Sequence, residues 1–495
     1  MSVFRRLFAV RSVDSIVNDL NSAPALKRVL TARSLTAIGL GATIGTGVFV
    51  FTGQVAAQNA GPALTIALLI SALGAGLAAI CYAEFAAMMP VSGSAYSYTY
   101  ATLGESIAWF IGWNLSLEYL MSASAVAVSW SAYVVDLLEK FGVELPGALV
   151  NSPFGKCSDE QVLLLACEKG DLVTTGALIN VPAMAIIFAL GVVCYVGMRE
   201  SSWLNTAMVL IKVGVIIVFV LAGMSYVDPG NWRPYLPENT GTPGQFGMTG
   251  LLNGAAIIFF SYIGIDTAST TARETRNPQR DVPLGILSAL VITAILYIGM
   301  ATVMTGMVSY TQLDVPNPVA VALNAHPQIA WLGKLVEIGI IVGMTSVILM
   351  SLVGQPRILL AMAEDGLLPK RMAGVHPRYR TPHIATAVTI ILAALIAGLF
   401  PLDVLGELIV IGILLAFTVV CIGVLVLRYT KPGAPRPFRV PFAPVTCVLG
   451  AVVCGGMTYF LPADTWWRLL VWTIIGFSIY GLYGYRHSRL RAEGR

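Results

Sequence analysis

The sequence predicts an all-α integral membrane protein of about twelve spanning helices. Three observations carry that expectation. Of 495 residues, 57% are hydrophobic and 11% are charged, where soluble domains carry about 25% charged residues. Mean hydropathy is +0.78. Apolar runs of roughly 20 residues, enough to cross a hydrocarbon core about 30 Å thick, recur along the chain. Lipid offers backbone groups no partner, so only helices and closed barrels cross it, and the alternating ten-residue pattern of barrel strands is absent.

The segment 1–34 is mixed and basic, with Arg5, Arg6, Arg11, Lys27, Arg28 and Arg33, and has no short apolar core followed by a small-residue cleavage site. Five runs follow within 35–224, at about Leu35–Ala60, Ala63–Met88, Ser106–Val135, Ile179–Met198 and Ser202–Met224. A long polar loop, about 136–178, separates the third from the fourth. Five more lie within 251–427, at about Leu251–Ala272, Val282–Val308, Ile329–Met362, His383–Phe400 and Val404–Leu427. Two close the chain within 443–485, at about Ala443–Phe460 and Trp466–Tyr485, before a basic tail, 486–495.

Lysine and arginine placement orients the bundle. With the N-terminus inside, 23 of them fall on interior segments and six (Lys140, Lys156, Lys169, Arg233, Lys334 and Arg468) on exterior loops. Both termini are therefore expected in the cytoplasm. The basic residues are scattered through loops, so nucleic-acid binding is not expected. Cys81, Cys194, Cys421, Cys447 and Cys454 lie in apolar runs and read as small core residues. Cys157 and Cys167 share the outward loop, where an oxidising compartment permits a disulfide.

Two spans are poor continuous helices. The first holds four glycines in Gly39-Leu40-Gly41-Ala42-Thr43-Ile44-Gly45-Thr46-Gly47, and the sixth holds Phe260-Ser261-Tyr262-Ile263-Gly264-Ile265-Asp266. A mid-helix glycine costs about 1 kcal/mol relative to alanine. Interruptions at matching places in two halves suggest discontinuous helices 1 and 6 around a central site, with spans one to five and six to ten as two inverted repeats. As a dinucleotide fingerprint the cluster fails, since no strand precedes it. Gly41 and Gly45 also fit a small-residue packing face. On the unwound reading, freed N–H groups at a half-helix N-terminus suit a carboxylate, and freed carbonyls suit an ammonium. Together they describe a site for an α-amino acid.

Lys212 sits mid-span, about 15 Å from either end at about 1.5 Å per residue. An ionisable group at that depth is a functional candidate. It must pair, reach a wet cavity or lose its proton; a lysine held by neighbouring backbone carbonyls is the plainer alternative. Glu118 lies deep in the third span, as a second proton-coupling candidate or as a neutral group bonded to backbone. Asp266 reads as a cap or lock near the inner end of its span. Glu337 and Glu407 lie near span boundaries and are assigned no chemistry. The segments Glu274–Arg280 and Gln355–Pro369 combine charges with turn residues. They read either as loop caps or as charge pairs of an inner gate.

Several stretches together resemble the amino acid–polyamine–organocation superfamily, in its cationic amino acid transporter branch. They are Gly39–Val50, Tyr82–Glu84 with Pro90–Gly93, Phe259–Ala268, Arg273–Pro283, Ala361–Pro369, Leu405–Phe417 and Pro437–Pro441. The resemblance implies a LeuT-like fold of two inverted five-helix repeats plus two C-terminal helices. It implies that Thr43, Ile44, Gly45, Thr46 and Gly47 bind a substrate carboxylate, and that Phe260, Ser261 and Ile263 offer carbonyls to its ammonium. The Phe260 ring is the expected gate. Lys212 matches the family lysine that stands where sodium-coupled relatives hold a sodium ion. The expected activity is therefore L-amino acid import by proton symport across a bacterial cytoplasmic membrane, with the proton as coupling ion and no cofactor. The family name implies Lys, Arg and ornithine, whereas Met344 and Met350 in the eighth span make the side-chain end apolar, so cationic and small neutral substrates both stay open.

Sodium-independent exchange is the alternative carrier activity, and a non-transporting sensor the alternative outside that class. No enzyme activity is expected: an intramembrane protease is disfavoured because HExxH does not occur and Asp266 lacks a paired aspartate. A monomer is the expected state, with a small membrane partner left open.

Overall fold

The computed structural model describes residues 9–12, 28–91, 93–156, 172–239, 241–242, 244–315, 317–461 and 463–493. Among them the longer helices are α1 (Ala32–Thr43), α2 (Leu64–Met88), α3 (Glu105–Lys140), α4 (Val181–Val196), α5 (Met198–Gly223) and α6 (Gly247–Ile258). They continue as α7 (Pro278–Met307), α8 (Trp331–Glu364), α9 (His383–Leu399), α10 (Leu402–Thr430), α11 (Ala443–Tyr459) and α12 (Ala463–Ile479). Seven helical stretches are long and apolar enough to cross a membrane among the described residues, and three shorter apolar helices, α4, α9 and α11, accompany them. Cys157 and Cys167 lie outside the described residues. They fall between two short antiparallel strands, β1 (Phe154–Lys156) and β2 (Leu172–Thr174), with Phe154 opposite Thr174.

Helix starts follow local chemistry. Thr31 caps α1 through Ser34 N–H, at 3.5 Å. Asn180 Oδ1 accepts Ala183 N–H at 3.1 Å at the head of α4, and also takes the Ser131 hydroxyl of α3 at 2.7 Å. Pro278 opens α7, where a missing N–H costs nothing.

Helices five apart in order pack on one another: α2 on α7, α3 on α8 and α4 on α9. One group, α1, α2, α6 and α7, is joined through α2 and α7. A second, α3, α4, α8 and α9, is joined through α3 and α8. Helix α5 spans the two groups, touching α1, α7 and α8, and α10 touches α2 and α3. Helix α12 docks on α3 by stacked indoles, Trp113 on Trp472 with centroids 4.4 Å apart. Each of these indoles donates to the other's backbone carbonyl, at 2.9 and 3.3 Å.

Charge is concentrated at one end of the bundle, which we call the basic end. There the buried Glu84 of α2 pairs with Arg428 and Arg436 and accepts Val440 N–H at 2.6 Å. Glu105 collects Arg491 at 2.8 Å, Tyr480 OH at 2.7 Å and Tyr100 OH at 2.9 Å. Arg11 pairs with Asp365, whose other oxygen accepts Tyr96 OH at 2.7 Å. Burial pushes the Asp365 carboxyl up to about 6, while Arg11 pulls the other way. Below that pH the group is neutral and the ion pair is lost; above it the pair is complete. Residues 9–12 should therefore show less protection from amide hydrogen exchange, relative to the intrinsic rate at each pH, at pH 5 than at pH 7.5, and Asp365→Asn should remove the difference.

Among the described residues the opposite end carries fewer ion pairs. Glu337, which the sequence left without a role, is buried there and accepts Lys140 at 2.9 Å. Lys140 also reaches Asp136, one turn back on α3, at 2.8 Å.

Candidate functional site

The first span does not run as one α-helix. Helix α1 ends at Thr43, and Ile44 is extended (φ −76°, ψ 102°). Helical winding resumes at Thr46 and widens to π geometry over Gly47–Phe51. In the second half, α6 gives way to a 3-10 turn over Phe259–Tyr262, Ile263 is extended (φ −64°, ψ 145°), and Gly264 has φ +97°. That positive φ favours glycine, and a Cβ there would lie 2.6 Å from Ala42 Cβ. The two interruptions face each other: a Cβ on Gly47 would lie 2.6 Å from both Cα and Oγ of Ser261.

The site candidates divide by what already holds them. Thr43 is spent on structure, its hydroxyl on Gly39 O at 2.7 Å and its carbonyl on Tyr297 OH at 2.9 Å. The Gly45 carbonyl accepts Val48 and Phe49 N–H at 3.1 and 3.2 Å. Thr46 Oγ1 and Ser261 Oγ are buried and have no hydrogen-bond partner. A helix leaves its first N–H groups unpaired, so the segment starting at Thr46 and Gly47 presents donors beside these hydroxyls. The resemblance offers the Phe260 carbonyl to an ammonium, but that carbonyl already accepts Ile263 N–H at 3.2 Å, closing the 3-10 turn. The Phe260 ring packs on Phe51 with centroids 4.8 Å apart. Val347 of α8 stands against Gly45, where a Cβ would meet its Cγ2 at 2.6 Å.

Lys212 approaches the first interruption through α5. Its side chain is fully buried, and its ammonium donates to Gly41 O at 2.9 Å, Ile44 O at 2.8 Å and Ser346 Oγ at 2.7 Å. Three acceptors satisfy three N–H bonds, which is what a buried lysine requires. The carbonyls belong to α1 and its break, and the hydroxyl to α8, so one amine ties together three elements. Two turns back on α5, Asn205 Nδ2 donates to Ala37 O at 2.9 Å and adds a second tie to α1. Sequence reasoning missed Ser346, Tyr297 and Asn205, since polar side chains within apolar runs carry no signal of their partners.

Glu118 is not among the hydrogen-bond partners of this lysine. It is buried on α3, and its Oε2 has no hydrogen-bond partner. Asp266 does not cap the segment Thr267–Thr270; its Oδ2 accepts Tyr119 OH of α3 at 3.0 Å. Nearer the basic end, two ion pairs cross between the groups: Arg357 with Glu274 at 2.8 Å and Arg273 with Glu364 at 3.4 Å. The first joins the two charged segments singled out in the sequence, and the second joins Arg273, one residue before the first segment, to Glu364 of the other. Val29 and Leu30 N–H also donate to Glu274 O, at 2.8 and 3.0 Å.

The fold is that of a helical membrane protein whose two interruptions face each other, with the Lys212 amine on the first. The chain belongs to the amino acid permease family, whose model matches residues 30–480. It is 42% identical over 470 residues to a methylthioribose transporter of Bacillus subtilis (strain 168), covering 95% of this chain and 96% of the relative. A branched-chain amino acid permease of the same organism is 40% identical over 490 residues, 99% of each chain. A vacuolar cationic amino acid transporter of Arabidopsis thaliana is 36% identical over 86% of this chain and 64% of its own length.

Proposed function

We propose that this protein imports L-amino acids across a bacterial cytoplasmic membrane by proton symport, alternating access between the two faces. In this reading the basic end and both termini are cytoplasmic. Twelve spans adopt a LeuT-like arrangement, and the two helix groups move against each other about the broken helices. The observation that carries the reading is the pair of facing interruptions with two buried, unpartnered hydroxyls, Thr46 Oγ1 and Ser261 Oγ. The Thr46–Gly47 N–H groups take the carboxylate, and Ser261 with the Ile263 carbonyl takes the ammonium. Lys212 bridges α1 to α8 when protonated and releases that bridge on losing its proton. Glu118 is the second candidate in proton coupling. The apolar Val347, with Met344 and Met350 in the same buried helix, favours a branched or small neutral side chain over a cationic one.

A second reading is favoured by the 42% identity to a methylthioribose transporter. A thioether sugar has neither carboxylate nor ammonium, so it would use the hydroxyls of Thr46 and Ser261 without the helix ends. Uptake into proteoliposomes, with and without an inward pH gradient, separates the two. Leucine or valine uptake that rises with the gradient in sodium-free buffer is expected. Uptake of methylthioribose alone would favour the second reading, and gradient-independent exchange would point to an antiporter.

A further inference from the structure

Residues 9–11 and 487–491, far apart in sequence, dock at one spot on the basic end. Arg11 N–H donates to Tyr100 O at 3.1 Å and Glu105 N–H donates to Ala9 O at 3.1 Å, so residues 9–11 lie along the link between α2 and α3. The Arg11 guanidinium pairs with Asp365, the residue that ends α8. From the other side, Arg489 N–H donates to Asp365 O at 3.0 Å. Arg491 reaches Glu105 at 2.8 Å, and Ser488 Oγ donates to the same carboxylate. The fit is close: Gly366 has φ +77°, and a Cβ there would lie 2.2 Å from His487 O.

The helix Ser94–Thr102 runs from this spot to the broken sixth span. All of its residues are buried. Toward the docking spot, its Tyr96 OH donates to Asp365 Oδ2 at 2.7 Å and its Tyr100 OH to Glu105 at 2.9 Å. At its start, Ser94 Oγ accepts the Ser269 hydroxyl at 2.9 Å, on the segment Thr267–Thr270 that follows the interruption. Ser94 is held at φ +49°, a conformation that residues with a Cβ seldom adopt and keep only where their surroundings enforce it. The Arg11 and Asp365 side chains are 15% and 7% exposed, so water and salt screen their attraction poorly.

We propose that residues 9–11 and 487–491 act together as a brake on the cytoplasmic face. Docked, they clamp the helix Ser94–Thr102 to α8 and, through Ser94, hold the segment Thr267–Thr270 in place. Undocked, they let the strained Ser94 relax and free that segment to move. The inference rests on the alternating-access reading, in which the segment shifts when the inner face opens.

Hydrogen-exchange mass spectrometry of the full chain in lipid nanodiscs at pH 7.5 tests the clamp without substrate. Arg11→Gln should lower protection several-fold over residues 9–11, 94–102 and 264–271, and leave the far end of α8, residues 331–341, unchanged. Arg11→Lys, which keeps the charge, should keep most of the protection. Arg491→Gln loosens the dock from its other side and should give the same pattern; it decides the matter if Arg11→Gln loses protection throughout the chain. Counterflow of labelled leucine needs the inner face to open but no pH gradient, and should run several-fold faster in Arg11→Gln. Loss of protection confined to residues 9–11, or counterflow no faster than wild type, would overturn the brake. If wild type carries no amino acid while the exchange pattern appears, the transport reading fails and the clamp stands. If wild type carries leucine and the helix Ser94–Thr102 stays protected in both variants, the brake fails alone.

Discussion

The Lys212→Ala protein binds amino acid but gains nothing from an inward proton gradient: this is the result we expect. The reason lies in three contacts. The ammonium takes Gly41 O and Ile44 O on one side and Ser346 Oγ on the other, all within 2.9 Å. Ile44 is the residue at which the first span leaves helical geometry, so the lysine holds the break to α8 by charge-assisted bonds. A neutral amine keeps fewer donors and a weaker dipole, so deprotonation loosens that hold. Alanine removes it at every pH, and the rate should lose its dependence on the gradient. Stability should fall too, since each carbonyl left without a donor costs about 1–3 kcal/mol. Part of that cost is spared because Ser346 Oγ can still donate to Gly343 O at 2.7 Å or Gly41 O at 3.1 Å. Lys212→Arg should not rescue, because a planar fork cannot reproduce three converging bonds from one nitrogen. The decisive measurement is labelled amino acid uptake against external pH at zero membrane potential. Gradient stimulation that survives in Lys212→Ala would remove the lysine from the coupling step.

Much of the architecture was legible before any coordinates because lipid leaves so few options. A run such as Trp331–Glu364 can only be a helix, and its length and hydropathy say so. Lys212 was conspicuous for the same reason, an amine placed where hydration is out of reach. What it touches was not legible. Ser346 lies 134 residues ahead, Ile44 and Gly41 lie 168 and 171 residues back, and nothing in local pattern links them. The glycines told where winding is weak without fixing the residue at which it stops. Ile44 takes that place although it is not a glycine, because its extended backbone turns its carbonyl toward the amine. Glu118 was visible as a buried acid and Asp266 as a cap or lock, but the Tyr119 hydroxyl that holds Asp266 Oδ2 at 3.0 Å was not. Glu337 was passed over because a boundary position usually means solvent, whereas here Lys140 comes across from α3 to cover it.

Gly47→Val should abolish high-affinity substrate binding while leaving a folded protein. The interruption of the first span meets that of the sixth at this Cα, which carries no side chain. A Cβ there would lie 2.6 Å from the Cα of Ser261. That is backbone, which cannot rotate out of the way as a side-chain tip could. Overpacking of this kind costs about 1–3 kcal/mol, taken up by moving the two interruptions apart. Because the proposed ligand is gripped from both sides, displacement is felt in affinity: about 1.4 kcal/mol is ten-fold, so a loss on the order of 5- to 150-fold is expected. Gly214→Ala on α5, whose Cβ would meet nothing within 4 Å, is the matched control and should bind as wild type. Binding is read by scintillation proximity with labelled leucine, and folding by thermal stability in detergent. If Gly47→Val folds and binds leucine at wild-type affinity, the substrate does not sit between the two breaks, whatever Lys212 does behind them.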